Sequence, residues 1–229
     1  MYRSSLLVSL FVLTIVAPGC GREALGERFE ADPTVRPAPE GDECAANGGS
    51  EPLADDVDYV AYACENPNWT VGKCSVVDEI RNEPSDEPNT HISEPETITY
   101  EANPPTRGPH RPQWAKWGEY EFLAPQRWVH NMEHGGVVAL YHPCASDEVV
   151  DALRALMRDY DGVNEGEFRW ILTPYPALDS TLAIVAWQWV YQAPEYREAD
   201  VREFIDAHYN MGPEDVGPNG GYERRYLGR

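Results

Sequence analysis

The composition of the chain changes near residue 90, and this break limits what the chain can fold into. Residues 23–103 carry 20 acidic side chains and four basic ones, and the first part of that stretch is rich in Pro, Gly and Glu. Such a segment has too little apolar surface to bury, so we expect a solvated tether over residues 21–52. Apolar periodicity typical of a folded body begins at His91. We therefore predict a globular domain over residues 91–229.

The N-terminus has the pattern of an export signal. A single basic residue, Arg3, precedes an apolar run of 11 residues, Leu6–Val16. That run is shorter than the roughly 20 residues needed to cross a bilayer. It ends in Ala17-Pro18-Gly19-Cys20, which resembles a bacterial lipobox and predicts a lipoprotein-type signal peptide over residues 1–20 with lipidation of Cys20. The alternative is a plain secretory signal with an incidental cysteine.

Both interpretations of the N-terminus place the mature protein outside the cytoplasm. With the lipid, it would be anchored to a membrane of the bacterial cell envelope and face the periplasm or the exterior. The charge excludes one class of partner, because 18 Lys and Arg stand against 39 Asp and Glu, a net charge of −21. Nucleic-acid affinity depends on basic residues that displace counterions, so we expect no nucleic-acid partner. The sequence does not identify a protein partner.

The remaining cysteines indicate an oxidising compartment. Apart from the lipobox residue they are Cys44, Cys64, Cys74 and Cys144. An even number predicts two disulfides, for which three connectivities exist. Cys64 and Cys74 flank a loop and form a natural local pair, which would leave Cys44 for Cys144. We expect a small disulfide-held insertion over residues 53–90. A thiolate metal site is the alternative, although no C-x-x-C spacing occurs.

The domain from residue 91 has the pattern of an α+β fold. The predicted elements are a short strand at 97–100, a strand at 137–142, a helix from Ser146 to Gly162, strands at 168–173 and 182–191, and a last helix that carries Val201, Phe204, Ile205 and His208 and ends at Gly212-Pro213. A turn between the third and fourth strands predicts an antiparallel hairpin. The order β-α-β-β-α implies a small, mostly antiparallel sheet with the helices on one face and long Pro/Gly-rich loops.

Histidines are the residues most informative about function. The chain has six, and four of them fall within 44 residues: His91, His110, His130 and His134. Histidine is the commonest metal ligand and titrates near neutral pH. The segment His130-Asn131-Met132-Glu133-His134 fits H-x-x-E-H, the inverted zinc-peptidase pattern. That chemistry needs a long helix, whereas Pro125 and Gly135-Gly136 leave room for two turns at most.

An extended backbone over the same segment would have a different consequence. His130, Met132 and His134 would then share one face, and a thioether between two imidazoles suits copper. The sequence therefore predicts a site for copper or zinc. Its candidate ligands are His91, His110, His130, Met132, Glu133 and His134.

Three alternatives for these residues stay open. The histidines and Glu133 could form a hydrogen-bonded network that only fixes a loop. They could instead serve an envelope enzyme of hydrolase type, in which the His pair and Glu133 perform acid–base or metal-assisted chemistry. The domain could also be an interaction module on a tether. Metal binding without turnover is the hypothesis we carry forward.

Three segments together carry a family resemblance. They read HISEPETITYEANPPTRGPH, then WAKWGEY, then VHNMEHGGVVALY. These segments resemble the bacterial domain of unknown function 3105 family, whose members show Y-x-x-x-P-P-T-S-G-P-H, W-G-x-Y and H-N-L-E-H-G in that order. The likeness covers roughly residues 91–215, and this chain departs from it at Arg107 and Met132. The resemblance implies an exported or membrane-anchored protein without an established activity, and it aligns the candidate His and Glu residues with the family's motif positions.

Overall fold

The computed structural model describes residues 88–100, 102–214 and 216–229, together with the strand at 79–82. Within these residues the chain is an α+β domain, as predicted, with three helices and a seven-stranded sheet. The helices are α1 (Pro125–Glu133), α2 (Asp147–Val163) and α3 (Glu198–His208). The strands are β1 (Glu79–Asn82), β2 (Gly118–Tyr120), β3 (Val137–Tyr141), β4 (Trp170–Pro174), β5 (Leu182–Ala186), β6 (Trp189–Ala193) and β7 (Tyr226–Gly228).

The sheet is mixed, so the prediction of a mostly antiparallel sheet is wrong. Its strand order is β1-β6-β5-β3-β4-β2-β7. Strand β4 runs parallel to both of its neighbours, β3 and β2, and the other pairs are antiparallel. Strands β3 and β4 are parallel because α2 connects them. The helix returns the chain to the end of the sheet at which β3 begins, so that β4 runs in the same direction.

The predicted hairpin between residues 168–173 and 182–191 does not form, because β3 lies between β4 and β5. Residues 182–191, predicted as a single strand, belong instead to an antiparallel hairpin of two strands. It divides into β5 and β6 at a tight turn where Gln188 has φ of 66°. The predicted order β-α-β-β-α is therefore wrong as well.

Several elements differ from their predicted bounds. Residues 97–100 form no strand, although Ile98 and Tyr100 are buried anchors of the core. The last helix ends at His208 rather than at Gly212. Strands β1, β2 and β7 and the full extent of α1 were not predicted. Strand β1 lies inside the segment predicted as an insertion and pairs with β6.

Helices cover both faces of the sheet, so the prediction of helices on one face is also wrong. Alternate residues of β3 enter two different apolar clusters. Val138 and Leu140 pack on the side of α1, whereas Val137 and Ala139 pack on the side of α2 and α3. Successive side chains of a strand point to opposite faces, so a strand that is apolar throughout needs cover on both sides.

The face covered by α1 also carries the long Pro/Gly-rich loop that the sequence predicts. Over residues 102–117 the structure describes neither a helix nor a regular strand. Isolated bridges attach this loop to its surroundings, one between His91 and His110 and another between Ala115 and Tyr222. The loop is thereby held against α1, and the two together form the candidate site.

Other predictions fall beyond the described part of the chain. The signal peptide at 1–20 with Cys20, the tether at 21–52, and three of the predicted disulfide cysteines, Cys44, Cys64 and Cys74, lie outside it. Cys144 alone lies inside, after β3, so the disulfide pairing stays a prediction. Among the described residues, no helix has both the length and the apolar character needed to span a bilayer.

Candidate metal centre

His110 is held by backbone hydrogen bonds to the segment 90–92 and by a contact within its own loop. Its backbone N–H donates to the carbonyl of Thr90 at 2.9 Å, and its carbonyl accepts from the N–H of Ile92 at 2.8 Å. Its side chain is fully buried, and Nδ1 lies 2.8 Å from the carbonyl oxygen of Gly108. A carbonyl oxygen can only accept, so Nδ1 carries the proton, and in the neutral ring Nε2 carries the free electron pair.

His91 reaches the site through the same pair of backbone hydrogen bonds. They form a parallel bridge between His91 and His110, which places the two rings edge to face with centroids 4.9 Å apart. The ring of His91 also stacks on His130 at 4.7 Å. His91 is exposed, so the site opens to solvent on this side.

His130 and Glu133 come from α1, one turn apart on the same face. Pro125 begins the helix, where its missing N–H costs nothing, and Gly135 follows its end with φ of 76°. The Nδ1 of His130 lies 2.6 Å from the carbonyl oxygen of Arg111. His130 therefore has the same tautomer as His110, with its Nε2 electron pair free.

Asn131 joins the helix to the loop between these two histidines. Its Oδ1 accepts from the N–H of Ala115 and its Nδ2 donates to the carbonyl of the same residue, both at 2.9 Å. Asn131 is fully buried, so loss of either bond would leave a desolvated polar group. These two hydrogen bonds fix the position of the loop along α1, and therefore the position of His110 opposite Glu133.

These elements bring four side chains together: His91, His110, His130 and Glu133. One ligand atom from each lies within 4.8 Å of all the others. Nε2 of His110 lies 3.0 Å from Oε2 of Glu133, without the alignment of a hydrogen bond. An electron pair that faces a carboxylate so closely requires a cation between the two atoms, either a proton or a metal ion.

Burial keeps the imidazole of His130 neutral. It lowers the pKa of His130 to about 4, with the nearby histidines acting in the same direction and the carbonyl of Arg111 opposing them. For Glu133, burial on its own would raise the pKa. Its contact with His110, and the positive charge that the neighbouring histidines carry when they are protonated, outweigh that effect and hold the pKa of Glu133 below its ordinary value. Neutral imidazole nitrogens beside an ionised carboxylate are the forms that bind metals.

The family relationship can be stated once this geometry is known. The sequence profile of a family described as protein of unknown function (DUF3105) matches residues 91–221, more than half of the chain. The chain belongs to the DUF3105 family. No curated protein and no solved structure matches it. The matched range begins at His91 and contains all four converging side chains, so the candidate site lies wholly inside the DUF3105 domain.

Two of the sequence-predicted ligands of this DUF3105 domain occupy other positions. Met132 is fully buried in the apolar cluster on the α1 side, because the segment is helical and turns this side chain away from His130. The extended arrangement with a thioether between two imidazoles is therefore wrong. His134 caps the helix and stacks on His130 at 4.8 Å, but it is not one of the four converging groups.

The inverted zinc-peptidase arrangement is likewise not formed. In that pattern both histidines of H-x-x-E-H bind the ion and the Glu acts as base. In this helix Glu133 converges with His130, and His134 faces Glu214 instead, with Nδ1 3.6 Å from Oε2. Sequence analysis missed Glu214, since nothing in the pattern around it indicates its contact with a residue 80 positions earlier.

The end of α1 is held by a close contact with the segment 210–214. The N–H of Asn210 donates to the carbonyl of Gly135 at 2.8 Å, and the N–H of Glu214 donates to that of Glu133 at 3.1 Å. Gly212 lies between them. A Cβ at this position would lie 2.7 Å from the carbonyl oxygen of Met132 and closer still to that of Glu133. Only glycine permits this approach, which brings the carboxylate of Glu214 to His134.

We predict that Gly212→Ala destabilises the domain, because the new methyl group would push the 210–214 segment off the end of α1. The free energy of unfolding should fall by about 1–3 kcal/mol, measured by urea denaturation. Gly217→Ala is the matched control, since its Cβ would meet nothing within 4 Å. The control should change stability by no more than about 0.5 kcal/mol. Equal midpoints for the two variants would contradict the packing described here.

Proposed function

We propose that this protein binds a divalent transition-metal ion through His91, His110, His130 and Glu133, and that it does so outside the cytoplasm, as a lipid-anchored protein of the cell envelope that faces the periplasm or the exterior. The observation that supports this most is the contact of Nδ1 with a backbone carbonyl oxygen in both His110 and His130. Each donates its Nδ1 proton to a backbone carbonyl, which leaves both Nε2 atoms as electron-pair donors near one carboxylate. Metal-binding histidines are oriented in this way.

The distances support binding with a small rearrangement. Nitrogen and oxygen ligands lie about 2.0–2.2 Å from zinc, so neighbouring ligands around a tetrahedral ion are about 3.3–3.6 Å apart. The four ligand atoms lie within 4.8 Å of one another. The largest movement needed is therefore about 1.5 Å. His91 is exposed and can supply that movement by rotating, whereas His110 and His130 are tied to the backbone.

The donor set favours zinc over the other candidate. Three imidazole nitrogens and one carboxylate oxygen are borderline ligands that suit Zn²⁺ and also accept Cu²⁺. The argument for copper in the sequence rested on the thioether of Met132, and that side chain packs in the core. We therefore expect zinc first, with Cu²⁺ as the competing ion that the same nitrogens would bind.

A structural histidine network is the alternative that most needs to be excluded. In it, a proton on Nε2 of His110 would form an ion pair with Glu133, and no metal would bind. Metal-assisted hydrolysis is a further alternative, and it shares the metal with our proposal. The first test is therefore whether the purified protein contains a metal ion, because the structural network predicts none.

The location of the protein is part of the proposal. Lipidation of Cys20 would attach the domain to a membrane, and the acidic stretch 21–52 would keep it at a distance from the bilayer. Expression of the full chain in a bacterium tests this. We expect the parent in the membrane fraction and Cys20→Ser in the soluble fraction of the envelope. Membrane association of Cys20→Ser would contradict the lipid anchor.

We predict about one zinc per chain in protein purified without chelators or a His tag, measured by elemental analysis. His110→Ala and His130→Ala should each weaken zinc binding by at least about 100-fold, because each removes an oriented ligand. Glu133→Gln should also weaken binding, since the amide lacks the negative charge. Isothermal titration against a competing chelator provides the affinities.

His142→Ala is the control for these variants. His142 follows β3, its Nδ1 accepts from the N–H of Cys144, and it takes no part in the converging group. This variant should bind zinc like the parent. Absence of zinc and of copper from the parent, even after incubation with both ions, would contradict the proposed function. Circular dichroism checks that each variant keeps its fold.

A further inference from the structure

His134 is a buried polar side chain that the proposed metal centre does not use. It is 2% exposed, and neither Nδ1 nor Nε2 has a hydrogen-bond partner among the described residues. Buried polar atoms are almost always paired, because an unpaired one loses its hydration without compensation. A buried imidazole without hydrogen bonds, next to the proposed metal ligands, indicates that a bound ligand supplies the missing hydrogen-bond partner.

The carboxylate of Glu214 determines which nitrogen can meet that partner. Oε2 of Glu214 lies 3.6 Å from Nδ1 of His134, and a carboxylate attracts the N–H form of the nearer nitrogen. This attraction favours the tautomer with the proton on Nδ1, in which Nε2 carries the free electron pair. Glu214 is held in place by its backbone hydrogen bond to Glu133 and by the close approach at Gly212.

The ring of His134 lies beside the proposed metal centre. His134 stacks on His130 with centroids 4.8 Å apart, and Trp114 contacts both rings, at 4.6 Å from His134 and 5.0 Å from His130. Glu133 directly precedes His134 in the chain. His134 is thus adjacent to two of the proposed ligands, His130 and Glu133, without being one of the converging groups.

We propose that the metal and His134 form a two-point site for a small protic ligand, such as water, an alcohol or hydroxylamine. The ligand binds the metal through its own electron pair and donates an O–H or N–H hydrogen bond to Nε2 of His134. Zinc and cobalt can accept a further ligand beyond four, and the exposed side of His91 provides the entry. This inference rests on the proposed function.

The test compares a protic and an aprotic ligand on the cobalt-loaded protein. Co²⁺ replaces zinc and reports its coordination through visible absorption. Hydroxylamine carries O–H and N–H groups, whereas thiocyanate carries neither. Both are titrated into the parent, His134→Ala and Glu214→Ala near neutral pH, and the dissociation constants are read from the cobalt spectrum.

His134→Ala should bind cobalt like the parent but hydroxylamine about tenfold more weakly, which is the contribution of one hydrogen bond. Its affinity for thiocyanate should change less than about twofold. Glu214→Ala should weaken hydroxylamine binding by a smaller factor, because the ring keeps its place but loses the group that selects its tautomer. Glu214 is half-exposed, so this variant remains informative if His134→Ala does not fold.

The failures of the two proposals are distinguishable. A parent that binds no cobalt overturns the metal centre, and the two-point site with it. A parent that binds cobalt, but whose spectrum responds to neither ligand, overturns the two-point site alone. Equal hydroxylamine affinity in all three proteins, or an equal loss of both ligands in the variants, also overturns it, since a structural role for His134 would affect both ligands alike.

Discussion

The hydrogen bond between Nδ1 of His130 and the carbonyl oxygen of Arg111 is the contact on which the site depends. It joins α1 to the Pro/Gly-rich loop and determines which ring nitrogen of His130 carries the proton. Asn131, the next residue of the helix, makes two further bonds to the same loop. Helix and loop are therefore positioned together, and the distance of His110 from Glu133 follows from both contacts.

The sheet, covered on its other face by α2 and α3, provides the base on which α1 and the loop are packed. Strands β3, β4 and β5 are apolar on both faces, and α2 and α3 cover the side away from the site. The α1 face is left to a short helix and a loop, which can present polar groups because the sheet already supplies a rigid base. Four histidines and a glutamate are concentrated there, in a domain whose overall charge is strongly negative.

Four of the six candidate ligands named from the sequence lie together in the structure, whereas the sheet order differs from the predicted one. His91, His110, His130 and Glu133 stood out because histidine is rare in this chain and these residues occur in compact motifs. The sheet order was missed because the helical periodicity of α2 shows that a crossover exists but not which strand it reaches. Strands of three residues, such as β2 and β7, are too short to show alternation. Met132 was included among the ligands because an extended backbone would place it on the same face as His130 and His134. The segment is helical instead, and the helix turns Met132 into the core.

The coordination of the bound ion is the most direct test of this account. X-ray absorption at the zinc edge, on the metal-loaded protein, distinguishes imidazole nitrogen from sulfur in the shell of bonded atoms. The account predicts three imidazoles and at least one carboxylate oxygen at about 2.0–2.2 Å, with no sulfur. A sulfur atom at about 2.3 Å would instead place the ion on cysteine and contradict the centre described here.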